Sequence, residues 1–96
     1  MSKKSFLQEY VDHLIATEAV KAIGQKGCWL LILVGARAGA LNTPVEMSNK
    51  EAMELIGVGN IPGLAKVKKD CIDAGYLEQR LQHHKPPLLS VGLRKV

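Results

Sequence analysis

Apolar residues recur at three- to four-residue spacing along most of this chain and alternate with polar ones near its end, so the pattern predicts helices followed by strands. In residues 5–15, Phe6, Leu7, Tyr10, Val11 and Leu14 share one helical face, and Ser5 with Gln8 makes a capping pair at its start. An N-terminal helix within residues 1–16 follows. Thr17 can cap a second segment carrying Ala19, Val20, Ala22 and Ile23, which Gly24 and Gly27 can interrupt. Residues 28–36 are the greasiest run, and a long core helix is predicted over about residues 28–38, with Trp29 inside it, closing a region that spans residues 17–40. After the breakers Gly39 and Pro44, Val45 and Met47 flank Glu46 in what reads as a brief first strand.

Residues 48–75 carry the densest set of signals. Ser48-Asn49-Lys50-Glu51 has the form of a capping box, in which the Ser hydroxyl accepts the N–H three residues on and the Glu carboxylate reaches back to the cap. Ala52, Leu55 and Ile56 form one stripe, Gly57 supplies the left-handed end, and Val58 packs back on the last turn. Asn60 caps the next helix, with Pro62 in its first turn, and Leu64, Val67, Cys71 and Ile72 mark its buried side. That helix ends at Ala74-Gly75, and Tyr76-Leu77 opens a strand. Leu77, Gln79 and Leu81 alternate, as do Leu89, Val91 and Leu93, while the polar and proline-containing residues 82–87 between them predict a loop with a basic tip. Helix, tight turn, helix and hairpin is the order of a winged helix-turn-helix. The expected class is α+β, mainly α, with about three core helices, an N-terminal helix and a two- to three-stranded β-wing over residues 76–96.

Composition narrows the partners. Ninety-six residues suffice for one domain with one modest core. Thirteen Lys and Arg against nine Asp and Glu give a net charge of +4, which favours a polyanion. Cys28 and Cys71 lie in no ligand-like spacing and read as small buried residues in a reducing compartment. The apolar run is shorter than the roughly 18 residues that span a bilayer, and the N-terminal residues lack the apolar region of a signal peptide, so a cytoplasmic location away from membranes is expected. The chain shows no enzyme chemistry. His83-His84 and His13 lack the company of a zinc site, Gly57-Val58-Gly59 lacks the rest of a phosphate or dinucleotide loop, and Ser48, Ser90 and Cys71 have structural explanations; no catalytic residue, metal or cofactor is expected.

Ser48-Asn49-Lys50-Glu51, Leu55-Ile56-Gly57-Val58, Lys68-Lys69-Asp70 and Asp73-Ala74-Gly75-Tyr76-Leu77 together resemble the winged-helix modules common in phages, plasmids and other mobile elements, replication and primosome proteins prominent among them. Residues 20–38 resemble the helix that precedes the motif in that group, so the likeness spans about residues 20–93. It implies DNA binding, with the second motif helix entering the major groove. This chain departs from that pattern there: Ile61-Pro62-Gly63 stands where polar residues are usual, and Pro62, Lys66, Lys69, Asp70 and Asp73 form the outward side, two lysines beside two carboxylates that phosphate would repel. Asn60 alone there has base-reading chemistry. The remaining basic residues are Lys3 and Lys4, Arg80, His83, His84 and Lys85 on the wing, and Arg94 and Lys95. Together with Asn60, Lys66 and Lys69 they are the expected nucleic-acid contacts, gripping phosphate with low sequence specificity on single or double strands. The expected role is accessory to replication or maintenance of a mobile element. The alternatives are a sequence-specific duplex regulator, or an interaction module whose Phe6, Tyr10 and Leu14 face docks a replication protein or a second copy.

Overall fold

The computed structural model describes residues 5–93; the predicted contacts Lys3, Lys4, Arg94 and Lys95 lie outside them. The described chain runs α1 (Phe6–Ala16), α2 (Ala19–Ala38), β1 (Val45–Glu46), α3 (Asn49–Ile56), α4 (Ile61–Asp73), β2 (Leu77–Gln82) and β3 (Lys85–Val91). It is α+β and mainly α, a layout compatible with a winged helix.

Helix α2 is the central element, packing on every other helix and on β1 and β3. Leu30, Leu31 and Val34 are fully buried on it, which explains the greasy run. With twenty residues, α2 is long and apolar enough to cross a membrane, yet much of it is buried against the rest of the protein, as a core helix is. Gly24, at φ 76° and ψ 173°, breaks the helix, whereas Gly27 does not interrupt it. Gly27 instead allows close approach: a Cβ there would lie 3.2 Å from Cys71 Sγ, and the Cys71 thiol donates to the Gly27 carbonyl at 3.6 Å.

Several local expectations need correction. Thr17 does not cap α2; its hydroxyl closes α1 by donating to the His13 carbonyl at 2.9 Å and meets the Tyr76 hydroxyl, leaving Glu18 to enter α2 in left-handed geometry. Ser5 and Gln8 form the full capping box, but Ser48 forms only half of one. Its hydroxyl accepts from Glu51 N at 3.1 Å, while the Glu51 carboxylate grips Arg37 in two bonds of 2.7 and 2.8 Å and so ties α3 to α2. Trp29 is not a core residue. It stays 48% exposed and its indole N–H donates to the Leu55 carbonyl at 3.0 Å, while Lys26 Nζ reaches the Gly57 carbonyl at 3.3 Å; α2 thus satisfies carbonyls that the end of α3 leaves open.

The Phe6, Tyr10 and Leu14 face is also not free for a partner. Tyr10 and Leu14 are buried, the Phe6 and Tyr10 rings lie against Gly35, and the Tyr10 hydroxyl donates to the Gly92 carbonyl at 3.1 Å. An amphipathic helix must cover its apolar stripe with something, and here α1 covers it with its own core.

The sheet is antiparallel in the order β1-β3-β2, with Val45 opposite Leu89 and Leu77 opposite Val91. Those pairings bring Leu77, Leu89 and Val91 into the core beneath a fully buried Tyr76. The connection between β2 and β3 is tighter than residues 82–87: only His83 and His84 turn the chain, and Pro86 and Pro87 enter β3. A register shift between Arg80 and Gln82 accommodates them, and both prolines still serve as acceptors, from Gln82 Nε2 and Met47 N. The same shift leaves Leu81 78% exposed, and Leu93 falls beyond the strand and is half-exposed.

The turn into α4 is built closely. Asn60 Oδ1 accepts from Gly63 N at 2.7 Å, and a Cβ on Gly63 would lie 2.9 Å from both Asn60 Oδ1 and Val58 Cγ1. Gly63 therefore answers a packing demand, which is why no polar side chain stands there. Gly63→Ala should destabilise the fold by about 1–2 kcal/mol in urea unfolding, overpacking outweighing the better helix propensity.

Candidate nucleic-acid interface

Four of the predicted contacts gather at the end of the hairpin. Arg80 lies on β2, His83 and His84 form the turn with ring centroids 3.8 Å apart, and Lys85 opens β3 opposite Gln82. All four are exposed. Among the described residues no carboxylate forms an ion pair with Arg80 or Lys85, whereas Lys21 pairs with Glu18 and Arg37 with Glu51. The nearest acidic group in the hydrogen-bond network is Glu46, which accepts from Gln82 Nε2 at 3.3 Å. Strand pairing thus holds cationic and ring-bearing side chains side by side, the chemistry of a phosphate grip.

Helix α4 presents a different surface. Lys66, Lys69 and Asp73 are exposed, as the helical spacing predicts, whereas Asp70, placed on the same side by that spacing, is half-buried, and Ile72 belongs to the exposed side as well, at 38%, with Ile61 at 52%. Two aliphatic side chains and a carboxylate beside two lysines offer little to base edges. Asn60 is exposed at the turn with its side-chain oxygen committed to the cap, leaving its amide N–H groups as donors. A bidentate grip on adenine needs that oxygen as well.

No family model, curated protein or solved structure matches the chain.

One polar residue was passed over in the sequence. Lys68 is only 6% exposed, and its ammonium donates to Asn49 Oδ1 and Gln79 Oε1, both at 2.9 Å, joining α4 to the start of α3 and to β2. The signal was available: Lys68 stands four residues after Leu64 and four before Ile72, on a stripe that faces the hairpin. Burial holds its ammonium below the usual lysine range. The two thiols are buried and free, and burial, with the charges of Cys28 and Asp70 adding to it, pushes the Cys71 thiol up to about 12. A thiol held protonated in this way is inert as a nucleophile or ligand.

Proposed function

We propose that this is a winged-helix DNA-binding protein that holds the phosphate backbone with a basic wing, at low sequence specificity, in an accessory role in replication or maintenance of a mobile element in the cytoplasm. The observation that carries this reading is the exposed cluster of Arg80, His83, His84 and Lys85 on one hairpin, whose cations pair with no carboxylate among the described residues. The poverty of base-reading groups on α4 argues against the sequence-specific regulator. Single strands belong within the reading because the exposed His83 and His84 rings offer faces on which unpaired bases can stack beside the cations.

Polarisation of labelled single-stranded and duplex oligonucleotides across a salt series tests it. The logarithm of the affinity should fall linearly with the logarithm of salt concentration, and affinity should vary by less than about tenfold among duplex sequences. Absence of binding at low salt would remove the reading, and a strong preference for one duplex would replace it with the regulator.

A further inference from the structure

Between α4 and the hairpin lies a cleft of about 340 Å³, at the lower end of the range for small-molecule sites. Ile61, Ile72 and Leu81 line it, three large aliphatic side chains left 52%, 38% and 78% exposed. The polar groups that converge on it are Asn49, Lys68 and Gln79. Lys68 Nζ gives two of its three N–H groups to the neutral amide oxygens of the other two, and among the described residues the third has no acceptor and no carboxylate pairs with the charge. A nearly buried cation is thus left without an anion at an apolar opening.

We infer that this cleft binds a small carboxylate with an apolar body, its oxygen taking the remaining N–H of Lys68 and its hydrocarbon covering Ile61, Ile72 and Leu81. A carboxylate supplies the charge that the two amides lack, and a charge-assisted bond away from water is among the stronger polar contacts. The exposed ammonium of Lys69, also on the lining, adds attraction from the rim. Burial lowers the proton affinity of Lys68, as expected of a cation withdrawn from water. Nucleic-acid phosphate is a poor occupant, because Lys68 is recessed and the walls offer apolar surface to a polar backbone. The site is separate from the basic hairpin tip and stands whether or not the protein binds DNA.

Octanoate, octan-1-ol and octyl phosphate serve as probes, titrated into the full chain by calorimetry and amide-resonance mapping. Octanoate should saturate one site, shift the resonances of Lys68, Ile72 and Gln79, and bind at least about tenfold more tightly than octan-1-ol. Gln79→Glu sets a carboxylate where Gln79 Oε1 now lies 2.9 Å from Nζ, at unchanged volume. It should retain the fold and lose at least about tenfold in octanoate affinity, because Lys68 then has an internal counterion. Lys68→Met should lose the site too, and Gln79→Glu decides the matter should that variant fail to fold. Equal binding of octanoate and octan-1-ol, tighter binding of octyl phosphate, unchanged octanoate affinity in Gln79→Glu, shifts confined to other residues, or no saturable binding would each overturn the inference.

Discussion

Reversing the charge at Arg80 and Lys85 together should weaken DNA binding about ten- to hundredfold near 0.1 M salt and lower the slope of log affinity against log salt by about two. Each cation that neutralises a phosphate releases about 0.9 of a condensed counterion on duplex DNA, so two lost contacts predict that change in slope, and the reversed charges add repulsion to the affinity loss. Both side chains are exposed on the hairpin, and substitution there should move the melting temperature little. The same reversal at Lys66 and Lys69 should cost less than about threefold, because Asp73 and Ile61 share that exposed surface and Asn60 beside them has its side-chain oxygen committed to the cap. Equal losses from the two pairs would place phosphate on α4 as well and would reinstate the major-groove mode.

Tyr10→Asp should unfold the protein rather than sever one interaction. Tyr10 is 2% exposed, its ring stacks near Phe6 at 5.8 Å, and its hydroxyl donates to the Gly92 carbonyl beyond the end of β3. Removing a buried aromatic side chain costs about 3–5 kcal/mol, and a carboxylate left without a partner in the cavity adds to that. The sum is of the order of the whole stability of a small domain. Thermal melts followed by circular dichroism should show no cooperative transition for Tyr10→Asp. Tyr10→Phe, which loses the hydrogen bond alone, should cost about 1 kcal/mol. A folded Tyr10→Asp would mean that α1 can leave the core, and would return its apolar face to the list of partner surfaces.

The contrast between these two regions shows which parts of the structure are written locally in the sequence. The caps at Ser5, Ser48 and Asn60 and the left-handed end at Gly57 were legible because each depends on residues within four positions. The two strands were legible from alternation, but the two-residue turn at His83-His84 was not, since β1 pairs with β3 and a register shift decides where the prolines fall. The role of Phe6, Tyr10 and Leu14 was not legible either. An apolar helical stripe looks the same whether it covers its own core or another protein. Trp29 was misplaced because its run is apolar all round, so periodicity could not show which side faces water. The basic cluster at residues 80–85 was plain from composition, and the hairpin supplies what the sequence lacked, the placement of those four side chains about one turn. Lys68 was hidden by its charge: a lysine suggests surface, while its position on the inner stripe suggested burial.

The most direct test of a wing-borne phosphate grip is an amide-resonance titration of the isotope-labelled full chain with a mixed-sequence duplex and a single strand of the same length. Shifts concentrated at Arg80, His83, His84 and Lys85, alike for both oligonucleotides and reversed by added salt, are the expected result. Shifts concentrated from Asn60 to Lys69 that change with duplex sequence would contradict it and assign recognition to α4.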